Sequence, residues 1–261
     1  MSGTVYLVGA GPGAPDLLTV RAARLLGEAD IVLHDALIHS QTLALAPQAQ
    51  KVAVGKRCGK HSTVQHFINK RLADAARRYR VVVRLKGGDP TLFGRAQEEI
   101  AFLTEKGIAT EVVPGVTAAL GAAAELKVSL TQRGVARTVV FATPRVAPGE
   151  PPSNWVPAVL AADTAVLYMA SRDAMFVTAE LLSAGLPGET TVAIAHNVSL
   201  AASSYRFGML KDLPRLAANL ASGPALIVIG EVLRLAKWRR TAEQLGSWND
   251  VLSKIAAGSS P

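Results

Sequence analysis

Cysteine is almost absent: Cys58 is the single thiol in 261 residues. The chain can therefore form no internal disulfide and no cysteine-built zinc site, and a reduced, cytoplasmic setting is expected. Aromatic residues make up 5% of the chain, too few for an evident base-stacking platform. No apolar run approaches the ~18 residues needed to cross a bilayer. A charged start and a small-residue cleavage site are also missing, so neither a membrane span nor secretion is expected. His-Glu-x-x-His, Gly-x-Ser-x-Gly and a glycine loop closed by a Walker lysine do not occur. The histidines, at 34, 39, 61, 66 and 196, offer no metal spacing beyond His61 and His66, which do not share a helical face well. No metal is expected.

What is present indicates a packed globular chain. Apolar residues are 49% and charged ones 18%, which excludes intrinsic disorder. Lys and Arg number 28 against 20 Asp and Glu, a net charge of +8. That excess attracts polyanions: nucleic acid, an anionic membrane surface or a small polycarboxylate. The basic residues gather at 70–80, where alternation with apolar residues suggests a solvated helix face, and at 234–240. With so few aromatics, no nucleic acid is expected as partner.

Short β-branched runs alternate with helix-period segments. Strands are expected at 4–8, 30–34, 51–54, 81–85 and 110–113, and helices at 19–28, 63–79 and 95–106. This order describes an α/β unit with a largely parallel sheet and helices on both faces. Ser62 and Thr63 are suited to cap the second of these helices. Further strands are expected at 138–143, 164–169, 191–195, 204–209 and 225–229, with helices at 174–184 and 211–221. The short polar link 196–202 favours a hairpin and hence a mixed sheet. Three prolines and a glycine make 146–153 a surface loop. The expected domains are 1–116 and 117–238, followed by a loosely held tail at 239–261.

Two glycine loops follow strands. Gly9-Ala-Gly-Pro-Gly13 misses the dinucleotide fingerprint, because its third glycine comes one residue early and Pro12 removes an N–H that a phosphate cradle would use. It serves equally as a tight strand-to-helix turn. In Arg84-Leu-Lys-Gly-Gly-Asp-Pro90, Gly87 and Gly88 let a ligand approach the backbone, and Asp89 places a carboxylate where open sheets bind ligands. An Asp-Pro turn explains the same glycines, but does not require Arg84 and Lys86.

These loops occur in order with Val54-Gly-Lys-Arg57, Phe93-Gly-Arg95, Glu98-Glu99, Pro114-Gly-Val-Thr-Ala118, Leu130-Thr-Gln-Arg133, Leu167-Tyr-Met169 and Pro224-Ala-Leu-Ile227. The set resembles the tetrapyrrole (precorrin-type) methylases over about residues 5–230. The Gly-Lys-Arg and Arg-Leu-Lys-Gly-Gly-Asp-Pro segments favour the branch that acts on uroporphyrinogen III. The resemblance implies a two-domain class III methyltransferase fold, α/β throughout, with a mostly parallel N-terminal sheet and a mixed C-terminal sheet. It also implies a homodimer and S-adenosyl-L-methionine as methyl donor. Donor contacts fall on Pro12, Gly87, Gly88, Asp89, Leu92, Thr117, Ala118 and Met169. The catalytic pair falls on Asp35 and Lys56, and contacts to an anionic tetrapyrrole on Arg95, Glu98 and Arg133.

A substrate with eight carboxylates suits a +8 chain. The implied reaction methylates two pyrrole carbons to give precorrin-2; a sibling methylase acting on a later corrin precursor or another acceptor is the alternative. A nicotinamide dehydrogenase would need a true GxGxxG, and a basic nucleic-acid module would bind duplex DNA with a steep salt slope. The chain departs from the family pattern in several places. His34 stands for a usual tyrosine, Ala96-Gln97 for Gly-Gly, Gln132 for histidine and Pro144-Arg145 for Gly-His. Val198 replaces a glycine; since valine resists positive φ, a different loop conformation is expected there.

Overall fold

The computed structural model describes residues 2–54, 61–146, 149–234 and 236. The chain divides into two compact units, Met1–Gly121 and Ala122–Pro261.

The first unit is a five-stranded parallel sheet. Its strands are β1 (Thr4–Gly9), β2 (Ile31–His34), β3 (Gln50–Ala53), β4 (Val81–Lys86) and β5 (Thr110–Val113), in the spatial order β3-β2-β4-β1-β5. Gly9 lies opposite Lys86, and Val8 opposite Val113, so β1, β4 and β5 end together. Its helices are α1 (Val20–Glu28), α2 (Ser40–Ala44), α3 (His61–Ala76) and α4 (Ala96–Glu105), and α5 (Ala118–Leu126) begins in it and runs on into the second unit. Alternation along the strands builds two cores. Val5, Leu7, Leu33 and Val82 pack with Leu72 of α3 and Leu103 of α4. Val8, Val32, Val83 and Leu85 pack with Leu25 and Leu26 of α1 on the other face.

α1 begins as the sequence suggests. The Thr19 side chain accepts from the Ala22 N–H, satisfying a donor the helix itself leaves open. The capping expectation for α3 is corrected: the helix already runs at His61, so Ser62 and Thr63 stand inside its first turn. Lys70, Arg71, Arg77, Arg78 and Arg80 are solvent-facing, as a charged helix face requires.

The second unit contains β6 (Val139–Ala142), β7 (Thr164–Tyr168), β8 (Thr191–His196), β9 (Ser204–Met209) and β10 (Ala225–Ile229), ordered β6-β7-β10-β8-β9. Only the β6–β7 pair is parallel, so the sheet is mixed, and β8 and β9 form the antiparallel hairpin. Leu167, Ile194 and Ile227 pack with the helices α6 (Trp155–Ala161), α7 (Ala174–Ser183) and α8 (Leu213–Ala217). Two expectations are corrected here. The helix expected at 211–221 is a 3-10 turn, Leu210–Asp212, followed by the short α8. α6 was not among the expected helices; its Pro157 lies in the first turn, where backbone N–H groups have no helical acceptor to lose.

Candidate functional site

The carboxyl ends of β1, β4 and β5 meet at three glycines. A Cβ on Gly9 would lie 2.6 Å from the Gly115 Cα and 2.7 Å from the Gly88 carbonyl oxygen. All of these are backbone atoms, so nothing there can yield. The Gly88 N–H donates to the Gly11 carbonyl at 2.8 Å, and the Gly11 N–H donates back at 3.2 Å. The first glycine loop thus uses its polar backbone on the β4 loop, and the strand-to-helix turn is its structural role. Gly87 is different. No atom lies within 4 Å of where its Cβ would sit, leaving its backbone open to approach.

Asp89 ties this junction together. One carboxylate oxygen accepts from the Thr91 N–H at 2.8 Å and from the Thr91 hydroxyl, and the other accepts from the Gly115 N–H at 2.9 Å. Burial opposes the charge of Asp89, yet the Thr91 hydroxyl and the Gly115 and Thr91 N–H groups together hold its carboxyl below the ordinary value. Leu92 follows in the same turn, its N–H donating to the Asp89 carbonyl. The Thr117 carbonyl accepts from Leu120 and Gly121 at the start of α5, which places Thr117 and Ala118 at that helix's N-terminus. Pro12, Gly87, Gly88, Asp89, Leu92, Thr117 and Ala118 are therefore all carried by loops at one edge of the first sheet. An S-adenosyl donor fits this edge, which offers open backbone at Gly87.

Asp35 follows β2 at the same edge. Its carboxylate is about one-third exposed and accepts from Arg84 Nη2 at 2.6 Å. Arg84, by contrast, is buried. On β4, Val82, Arg84 and Lys86 alternate onto the face covered by α3 and α4, so both cations enter that core. Glu99 receives them. It is fully buried on the α4 stripe with Ala96 and Leu103, and accepts from Arg84 Nε at 3.1 Å and from Lys86 Nζ at 3.0 and 3.1 Å. Burial opposes the charge on Arg84, but Asp35 and Glu99 on either side raise its pKa above the ordinary value. Burial and the neighbouring Arg84 hold the Lys86 ammonium below its ordinary value, despite Glu99.

Glu99 was missed as a functional residue, though a signal existed. Two cations at alternate positions in a valine-rich strand demand a buried anion, and the buried helical stripe of α4 supplies one.

Arg95 and Glu98 meet each other. The guanidinium forks onto the carboxylate, Nε to Oε1 at 2.6 Å and Nη2 to Oε2 at 2.7 Å, and this fork is the first cause that holds the Glu98 carboxyl below its ordinary pKa. A substrate carboxylate reaching Arg95 has to compete with Glu98. Lys56 lies outside the described residues. In the second unit, Met169 directly follows β7 with φ +56° and an exposed side chain. Arg133 stands at the tip of a turn closed by the Gln132–Ala136 pair, with Gly134 at φ +77°. Val198 keeps an ordinary φ, while its neighbours Asn197 and Ser199 take +52° and +63°. Two concavities of about 430 and 440 Å³ in this unit are lined by none of the expected donor or substrate residues.

Among the described residues, no group of three or more His, Cys, Asp or Glu could hold a metal ion, and no helix is long and apolar enough to cross a membrane.

Comparison with known proteins agrees with this arrangement. The family model of the tetrapyrrole (corrin/porphyrin) methylases matches residues 4–214. A siroheme synthase of Pseudomonas fluorescens is 43% identical over 236 residues, 90% of this chain and 51% of that protein. The chain spans about half the length of the curated relatives it matches. A uroporphyrin-III-C-methyltransferase structure from Thermus thermophilus is 43% identical, covering 90% of this chain and 95% of that one, with a TM-score of 0.75. Another uroporphyrin-III C-methyltransferase structure from Thermus thermophilus, complexed with S-adenosylhomocysteine, is 38% identical with a TM-score of 0.79, covering 89% of this chain and 100% of that one. With the glycine junction, the strand-end aspartate and a family match over most of its length, the chain belongs to the tetrapyrrole methylases.

Proposed function

We propose that the chain methylates two pyrrole carbons of uroporphyrinogen III, using S-adenosyl-L-methionine, to give precorrin-2. The observation that carries this reading is the half-open Asp35 carboxylate, held by buried Arg84 beside the glycine junction of a tetrapyrrole methylase. The similarity to uroporphyrin-III-C-methyltransferases supports the choice of substrate.

When bound, the donor supplies an electrophilic methyl group on a sulfonium sulfur. Pro12, Gly87, Gly88, Asp89, Leu92, Thr117, Ala118 and Met169 are the residues proposed to hold it. Their contribution is orientation, which can supply roughly 7–11 kcal/mol of a displacement barrier. A pyrrole ring carbon that gains a methyl group becomes part of a cationic ring and must lose a proton. Asp35 is the proposed acceptor, because its carboxylate is fixed on one side by Arg84 and open on the other. Lys56 is proposed as the second member of the catalytic pair, and Arg95, Glu98 and Arg133 to meet the carboxylates of the substrate, Arg133 being exposed. A homodimer in the cytoplasm is part of the same proposal; light scattering on the purified chain tests the assembly state.

Incubation with methyl-labelled S-adenosylmethionine and uroporphyrinogen III, followed by mass measurement, tests the reaction. Two added methyl groups are expected. None on this substrate, with transfer to a later corrin precursor instead, assigns the chain to a sibling activity.

A further inference from the structure

Asp35 and Arg84 are the outer half of a four-charge cluster. The Arg84 guanidinium is held on three sides: by Glu99 at Nε, by Asp35 at Nη2, and by the strand carbonyls of Leu33 and Leu85 at Nη1. It is buried, so it cannot turn without breaking these contacts. Glu99 in turn is pinned by Lys86 at both oxygens and by the Gln65 amide, which also donates to Asn69. Two cations and two anions balance, and three of the four are buried. Only Asp35 reaches solvent. A change in charge at Glu99 or Lys86 is therefore felt at the one member of the cluster that faces outward.

We propose that Glu99, balanced by Lys86, is a positioning residue for methyl transfer, setting through Arg84 both the orientation and the basic strength of the Asp35 carboxylate. The inference rests on the proposal that Asp35 is the base. Among the described residues, the charged or titratable groups facing Asp35 are Arg84 from β4, with Lys86 and Glu99 behind it, and His34 at the end of β2, whose Nδ1 lies 3.0 Å from the Asp35 carbonyl oxygen.

The test reads Asp35 directly. The full chain is labelled with carboxyl-13C aspartate, the Asp35 resonance is assigned by its loss in Asp35→Asn, and its pH titration is followed beside the acid limb of kcat/KM. Glu99→Gln keeps the shape and removes the negative charge, leaving Arg84 less neutralised. Both the titration and the acid limb then move to lower pH, by about one unit for a charge acting across one guanidinium at a partly exposed site. Lys86→Gln removes the positive charge paired with Glu99 and moves both to higher pH. The double variant Lys86→Gln/Glu99→Gln returns both towards wild type, because neutrality is restored.

A role confined to packing lowers the melting temperature and leaves the titration where it was; that result overturns the inference. Should Glu99→Gln fail to fold, Lys86→Gln decides alone: an upward shift supports the relay and an unmoved titration overturns it. A titration that moves while the acid limb stays overturns Asp35 as the base, and with it the catalytic meaning of the relay, without touching the methyl count that tests the overall reaction.

Discussion

Asp89→Ala removes three hydrogen bonds at once: those from the Thr91 N–H, the Thr91 hydroxyl and the Gly115 N–H. Hydrogen bonds to a charged group contribute about 1.5–3 kcal/mol each where buried. Asp89 is only partly buried, and solvent screening reduces the sum to about 2 kcal/mol. For a unit of this size that lowers the melting temperature by about 5–10 °C. Asp89→Asn recovers little, because an amide can accept from Thr91 but presents its NH2 to the Gly115 N–H. The loss is expected to reach the donor site, since the bond to Gly115 holds the β5 loop against Gly88. S-adenosylhomocysteine affinity, read by titration calorimetry, should fall at least about tenfold, or about 1.4 kcal/mol. The pH dependence follows from the depressed folded-state value of Asp89. Its stabilisation is complete above the unfolded-state value near roughly 3.9 and is lost as pH falls through the lower folded-state one. The stability gap between wild type and Asp89→Ala is thus constant from neutrality to about pH 5 and closes below about pH 4. An unchanged affinity for S-adenosylhomocysteine, alongside a lower melting temperature, would refute the link between this carboxylate and donor binding.

Asp35→Asn should lower the single-turnover methyl-transfer rate by about 10²–10⁴ while S-adenosylhomocysteine affinity stays within twofold; a full rate removes the base assignment. Arg133→Ala should raise the tetrapyrrole KM more than it weakens donor binding, and equal losses for both ligands would indicate a folding defect instead. Gly115→Ala places a Cβ 2.3 Å from the Gly88 carbonyl oxygen and 2.8 Å from the Gly9 Cα. Overpacking against backbone costs about 1–3 kcal/mol or more, so calorimetry should show a clearly lower melting temperature; an unchanged one means that the junction is looser than these distances imply.

The strands were legible because β-branched runs need only a buried, pleated surface, and the ten expected runs lie within a residue or two of β1–β10. Glycine loops at strand ends were legible for a related reason: glycine at a junction marks a place where only backbone fits, as at Gly9 and Gly115. Helix ends were harder. Hydroxyls at Ser62 and Thr63 are suitable caps anywhere near a helix start, and local preference alone does not say which turn begins the helix. α8 is short because only Leu213 and Leu216 find burial, so a longer periodic pattern did not translate into a longer helix. The ion network was the largest omission. Glu99 stands thirteen residues from Lys86 and fifteen from Arg84, in another element, and the pairing exists only once β4 and α4 are packed.

Backbone strain bears on how this chain departs from its family's pattern. Phe93, Arg95, Met169, Asn197 and Ser199 take positive φ without being glycine, and such conformations persist where surrounding structure over-determines them. Phe93 and Arg95 flank Gly94, where a Cβ would meet the Pro90 carbonyl oxygen at 2.5 Å. That loop is forced compact, and its compactness delivers Arg95 to Glu98. Ala96, standing where the pattern has glycine, is buried at the start of α4 and adds packing under the same loop. At Val198 the valine is buried and the left-handed conformation falls to the residue on each side. In both places the departing residue strengthens the packing beneath the loop, while the unusual backbone is carried by neighbours that face outward or can bear it. The departures therefore change which side chains the loops present, and leave intact the frame formed by the glycine junction and the buried ion cluster.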